Sequence, residues 1–289
     1  MLRHGLNETG RFAAGLIGAL LLAAAVSASG APQGYGSAFA ARLLALARLD
    51  FGASDLTGAP ALQELSAHLA PTLQLLAPGA AIAILAGVPL GLALSWNAAW
   101  RLARPMLVLA ASVPVFCVAL ALVWLASRLG WDLAAAKGET FVPALLGGDV
   151  AGAFAALAAF GIPALVVGLA GAAVVQAAVR RATRAAAAEP YRANLRLMGL
   201  GGWEIDRLYL APRLLAGLFA CLGETALALF AATAVAEWVF GWPGDATLFI
   251  HSVALGDWNV AAAILFALAA ATIFVGFIGT LAASALGER

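Results

Sequence analysis

Few side chains in this sequence could carry acid–base, nucleophilic or metal chemistry. Its two cysteines, Cys117 and Cys221, both sit in apolar runs. There they read as small buried hydrophobes rather than as a disulfide or metal pair. His4, His68 and His251 lie away from the centre of any apolar run and share no metal-ligand spacing. No serine–histidine or His-Glu-x-x-His arrangement falls inside an apolar run, which argues against an intramembrane enzyme. No Gly-x-x-x-x-Gly-Lys-Ser/Thr phosphate loop is present, so nucleotide would have to be bound by another chain. The sequence implies no cofactor and no metal. Glu224 and Glu237 are the two carboxylates embedded in apolar surroundings. Counting from Leu214, Glu224 lies ten residues into its run. At about 1.5 Å per residue that places it near the middle of a hydrocarbon core about 30 Å thick. A carboxylate there is costly unless it is protonated, paired or facing water. No lysine or arginine is expected at the same depth. Glu224 is therefore expected either to face a polar path or to be a neutral acid bonded to kinked backbone near Pro78 or Pro114.

Charge is concentrated elsewhere, in residues 179–213. This stretch carries Arg180, Arg181, Arg184, Arg192, Arg196, Arg207 and Arg213 against Glu189, Glu204 and Asp206. Within it, Tyr191, Leu195 and Met198 follow i, i+4, i+7 spacing, one face of a short amphipathic helix. Pro190 suits the first turn, where its missing N–H costs nothing. Gly199, Gly201 and Gly202 follow the last apolar position, where a helix stops. A second periodic piece begins at Trp203 and includes Leu208, Leu210 and Pro212. A loop of this length with its own helix is more than a connector. Two uses fit the pattern: a dock for a soluble partner, or a helix lying on lipid headgroups.

The elements that must position these groups are membrane helices. Hydrophobic residues make up 64% of the chain and charged residues 11%, where a soluble domain has about 25% charged. Apolar runs at residues 12–26, 70–96, 105–126, 162–178, 214–239 and 259–286 predict about six spans. Residues 12–26, followed by Ser27 and Ser29, also resemble a cleavable signal peptide; the expectation taken here is a retained first helix. Residues 39–49 predict a short surface helix on the far face. Pro71, Pro78 and Pro89 are expected to kink the second span. Gly161-Ile162-Pro163 is expected to split an interfacial helix from the fourth span. With both termini cytoplasmic, twelve of the sixteen basic residues fall inside; only Arg42, Arg48, Arg128 and Lys137 fall outside. This satisfies the positive-inside rule.

Several landmarks in order resemble the membrane subunits of type I ABC importers, specifically the dipeptide/oligopeptide/nickel permease family. They are Leu49-Asp50-Phe51-Gly52-Ala53-Ser54, Leu69-Ala70-Pro71-Thr72-Leu73, Gly87-Val88-Pro89-Leu90-Gly91 and Ser112-Val113-Pro114-Val115-Phe116. Ile162-Pro163-Ala164-Leu165 and Tyr191…Leu197-Met198-Gly199-Leu200, with Pro212 thirteen residues after Gly199, continue the series. Glu237-Trp238-Val239-Phe240-Gly241-Trp242-Pro243-Gly244 and Gly256-Asp257-Trp258 complete it. The loop has Ala193-Asn194-Leu195 where many importers have Glu-Ala-Ala.

The resemblance implies an all-α, polytopic inner-membrane bundle of about six helices. Residues 1–69 would form a first membrane helix and outer segment, and residues 70–289 a permease core. It implies a bacterial plasma-membrane location, a second, related permease subunit, two ABC ATPase subunits and a surface substrate-binding protein. Lipid is the remaining partner, and nucleic acid is not one. Tyr191, Leu195 and Met198 would anchor the cytoplasmic coupling helix in an ATPase groove. Arg192 and Arg196 would meet acidic groups at its rim, and Gly199 and Leu200 would end it. Glu224 would border the translocation path. Glu237, Trp242, Pro243 and Gly244 would form an outer turn near the binding-protein dock. Peptide is the expected solute class, with nickel and other small polar solutes open. A proton-coupled secondary transporter using Glu224, and with it Glu237, is the rival expectation.

Overall fold

A computed structural model of the chain describes residues 2–30, 35–96, 113–129, 148, 150–189, 194–195 and 197–287. Ten α-helices are described. They are α1 (Leu2–Ala28), α2 (Tyr35–Ala47), α3 (Ala61–Trp96), α4 (Val115–Arg128), α5 (Val150–Ala187), α6 (Gly202–Ile205), α7 (Ala211–Ala220), α8 (Leu222–Phe240), α9 (Asp245–Leu255) and α10 (Trp258–Gly287). A π-helical turn, Asp206–Leu210, joins α6 to α7. Five of these helices carry apolar stretches long enough to cross a membrane: Asn7–Ala28, Ala61–Ser95, Phe160–Ala187, Leu222–Phe240 and Trp258–Leu286. The third expected span, residues 105–126, is described only from residue 113, and α4 begins at Val115. Arg101, Arg104, Asp132 and Glu139 lie outside the described residues.

The broadest packing is between α3 and α5. Gly79, Ala83, Gly87 and Gly91 recur every four residues and line one stripe of α3. A Cβ at Gly79 would sit 2.5 Å from Val167, at Gly87 2.8 Å from Val175, and at Gly91 2.7 Å from Val179. Without side chains on that stripe the two backbones meet directly, the small-residue packing that holds helices together in lipid. The matched pairs climb together in number, so α3 and α5 run parallel.

Several other neighbours are antiparallel. Phe12 stacks on Phe277 at 4.6 Å, Gly15 touches Ile273, and the Ser27 hydroxyl donates to Asn259 Oδ1 at 3.2 Å. These pairs place α1 against α10 in opposite directions, with the two ends of the chain on one face. Gly171 meets Leu229 and Gly217 meets Ala182, so α7 and α8 return against α5. Gly223 meets Gly276, so α10 reverses again. The loop after α5 therefore shares a face with the termini, and the α8–α9 turn lies on the opposite face.

Two sequence expectations about breaks are corrected. The expected split at Gly161-Ile162-Pro163 does not occur; α5 runs unbroken through Pro163 for 38 residues. α3 likewise runs through Pro71, Pro78 and Pro89. A proline costs a helix one hydrogen bond and a steric clash. Pro163 is fully buried, and Ala164, Val166 and Val167 just after it are buried too, so packing holds the helix through that loss. Conversely, the expected unbroken span 214–239 divides at Cys221, whose backbone leaves the helical region at φ −92°, ψ 5°. The break coincides with the crossing of α10, where a Cβ on Gly279 would lie 2.4 Å from the Phe219 carbonyl oxygen.

Candidate functional site

On the face shared with the termini, the arginine-rich stretch is built mostly of helix. α5 continues to Ala187 and carries Arg180, Arg181 and Arg184 beyond the core. Arg213 Nη1 donates to Glu189 Oε1 at 3.1 Å, tying the two ends of the loop together. Tyr191, Arg192 and Arg196 lie outside the described residues. Asn194, Leu195 and Leu197 are helical. The helix ends as its glycine predicts: Gly199 has φ +87°, and Leu200 N–H bonds back to the Leu195 carbonyl at 3.2 Å. That six-to-one bond with a left-handed glycine is the Schellman stop. Nothing lies within 4 Å of a Cβ at Gly199, so glycine is required there by backbone conformation alone.

Leu195 is only 9% exposed, whereas Leu197 is 87%, Met198 77% and Trp203 78% exposed. Of the expected anchoring stripe, Tyr191 lies outside the described residues, and the other two differ in exposure. Leu195 packs into its own chain, and Leu197 and Trp203 join Met198 at the surface. The i, i+4, i+7 spacing defines a stripe but not which side of it meets the protein. Glu204 Oε2 accepts from Gly201 N–H at 2.9 Å and starts α6. Ala211 N–H reaches the Asp206 carbonyl in i→i+5 register. That wider turn is set just before Pro212, which has no N–H for the normal ladder.

Glu224 is not at mid-span. The break at Cys221 places it in the first turn of α8. It does have a cationic partner: Arg181 Nη2 lies 3.9 Å from its Oε2, both side chains largely exposed. The expectation of no cation failed because α5 extends as a helix beyond residue 179. Glu224 also borders a cavity of about 280 Å³, lined among others by Glu8, Arg11, Phe12, Gly223 and Thr280. Glu8, itself buried, pairs with Arg11 at 3.0 Å.

On the opposite face, Glu237 organises the turn between α8 and α9. It is fully buried. Its Oε1 accepts from the Thr72 hydroxyl at 2.7 Å, and its Oε2 accepts from Ala246 N–H at 2.7 Å and Thr247 N–H at 3.2 Å. A carboxylate there satisfies the free N–H groups at the start of α9 and complements its dipole. Asp245 N–H donates in turn to Thr72 Oγ1 at 2.8 Å. The expected tight turn is present. Gly241 is left-handed, Trp242 N–H bonds to the Glu237 carbonyl at 2.7 Å, and Gly244 N–H bonds to the Trp242 carbonyl at 2.9 Å. Trp242 is turned inward. It is 4% exposed, and its indole N–H donates to the Pro71 carbonyl at 3.0 Å. Pro243 is exposed. Burial, and then the charge of Glu237, push the Asp245 carboxyl up to about 6.

Sequence reasoning did not single out Thr72 or Asp245 as site residues. An isolated threonine at the start of an apolar run is an ordinary sight, and its partner is 165 residues away. A second knot lies nearby: the Ser54 hydroxyl donates to Asp257 Oδ2, and Asn259 Nδ2 donates to the Ala53 carbonyl at 2.9 Å. Here the two quoted motifs, Asp50–Ser54 and Gly256–Trp258, meet. Among the described residues no cluster of three His, Cys, Asp or Glu side chains could hold a metal ion.

Residues 83–289 match the family described as "Binding-protein-dependent transport system inner membrane component". The chain is also 30% identical over 220 residues to the probable D,D-dipeptide transport system permease protein DdpB of Escherichia coli (strain K12), covering 71% of this chain. The match spans 65% of that relative's length. The chain thus belongs to the binding-protein-dependent transport system inner membrane component family, the permeases of type I ABC importers.

Proposed function

We propose that this chain is the membrane-spanning subunit of an ATP-driven, binding-protein-dependent importer of peptides or related small solutes. The observation that carries this reading is the exposed apolar trio Leu197, Met198 and Trp203 around the Gly199 stop, bracketed by an arginine-rich helix end. Large apolar groups held in solvent beside charge mark a partner surface. The partner is an ATPase subunit, one of two. The trio leads through α6 and the π turn into α7, whose Arg213 pairs with Glu189 just past the end of α5. Closure of the ATPases on nucleotide would therefore move α5 and α8 as bodies. A second, related permease subunit completes the path, and a binding protein delivers the solute on the opposite face. The arginine sorting supports a cytoplasmic position for the termini and this loop. Peptide as the solute class is supported by the name of the Escherichia coli relative. The proton-coupled reading has less support, because Glu224 sits beside Arg181 at a helix end rather than isolated at mid-depth.

The test is purification of the tagged chain from its native membranes, with the copurifying proteins assayed for ATP hydrolysis. An ATPase that accompanies the wild type and is lost from Leu197→Asp/Met198→Asp is the expected result. A wild-type preparation that transports without any ATPase would overturn the reading.

A further inference from the structure

The turn between α8 and α9 buries two carboxyl groups that share the reach of one hydroxyl, that of Thr72. Glu237 accepts three hydrogen bonds, from Thr72, Ala246 and Thr247. The single hydroxyl proton of Thr72 is spent on Glu237, so Thr72 can only accept from Asp245 N–H. Asp245 is 3% exposed, and its Oδ1 is buried without a hydrogen-bond partner. Among the described residues, the charged groups bearing on it are Glu237 from α8 and His68 from α3. His251, on the same helix, packs against the Trp238 ring instead. Asp257, at the start of α10, is engaged by Ser54. A second charge in this turn would be buried with Oδ1 unpaired and only the already committed Thr72 hydroxyl in reach, which is unfavourable. One proton removes the repulsion and supplies the missing donor.

We propose that Asp245, beside Glu237, is a proton-binding site on the face opposite the termini, and that loading it locks the start of α3, the end of α8 and the start of α9 together. A metal ion is a poorer occupant, because both Glu237 oxygens already accept short hydrogen bonds. The carboxyl of Asp245 is raised to about 6 by burial first and Glu237 second. Its folded value lies above the ordinary 3.8, so the stabilisation is complete at low pH and is lost as pH rises through about 6. Acidification on that side thus tightens the turn. This site stands on the fold and does not depend on the importer reading.

The experiment follows the apparent melting temperature of the full chain in lipid nanodiscs from about pH 5 to about pH 7.5. The wild type should lose about 3 °C across this range, levelling off just above 6. Asp245→Asn, always neutral at this position, should show a clearly smaller pH dependence than the wild type. A flat wild-type profile, or the same slope in Asp245→Asn, overturns the proposal. Should Asp245→Asn not fold, infrared spectra of the wild type decide. A carboxylic-acid carbonyl band present at low pH and lost near pH 6 supports the site, and its absence overturns it. Calcium or sodium that raises the wild-type melting temperature at about pH 7.5, but not that of Asp245→Asn, would show a cation site instead and also overturn it.

Discussion

Replacing Gly244 by alanine should unseat the carboxylate that holds the α3, α8 and α9 ends together. Gly244 has φ −102°, ψ −174°, an extended conformation open to any residue, so the substitution brings no backbone strain. Its cost is contact. The new methyl would lie 2.1 Å from Glu237 Oε1, 2.3 Å from Cδ and 2.6 Å from Oε2, well inside van der Waals separation. Glu237 cannot yield without leaving its three donors, two of them at 2.7 Å. A hydrogen bond to a charged group contributes about 1.5–3 kcal/mol. Loss of two, softened by partial rearrangement, gives about 3–5 kcal/mol, the cost of breaking a buried charged network. The assay is equilibrium unfolding in mixed micelles, with Gly202→Ala as control because nothing lies within 4 Å of a Cβ there. In a Glu237→Ala background the Gly244→Ala penalty should disappear, since the clash partner is gone. A Gly244→Ala protein within about 0.5 kcal/mol of wild type, or an undiminished penalty in the double variant, would refute the cage.

Gly87→Leu should cost at least about 2–3 kcal/mol by overpacking the α3–α5 seam, because the Cβ alone would meet Val175 at 2.8 Å and the Ala172 carbonyl oxygen at 3.0 Å; thermal unfolding reads it. Gly199→Val has space but not conformation. About 1–2 kcal/mol of local strain should distort the loop end and lower transport per ATP hydrolysed while membrane insertion stays normal; unchanged coupling would remove the loop from the proposed role. Single cysteines at exposed Ala188 and Leu255 should label from opposite sides of the membrane, Ala188 from the cytoplasm. Labelling of both from one side would break the topology.

Part of the site was legible because its cause is local. Gly199 follows an apolar stripe, and only glycine readily takes the left-handed turn found there. The turn at Trp242-Pro243-Gly244 was legible for the same reason. The role of Trp242 was not, because an indole at a membrane boundary and an indole donating to Pro71 look alike in sequence. Leu195 shows the limit of periodicity, which gives the angle between side chains but not the direction of the core. Glu224 shows the limit of counting: its depth depended on a break at Cys221 that no proline or polar residue announces.

By itself the sequence determined the membrane class, the sorting of arginines to one face and the approximate spans, because these depend on transfer of apolar groups from water and on charge near the bilayer, both set by composition along the chain. The tertiary structure alone decided which breaks in the pattern become breaks in the helix. Pro163 is carried through by buried neighbours, while the chain parts at Cys221 beside a crossing helix. It alone decided the parallel pairing of α3 with α5 and the meetings of Arg181 with Glu224 and of Thr72 with Glu237. Those contacts join residues far apart in the chain, and their energies exist only once the glycine stripes let the helices close on one another.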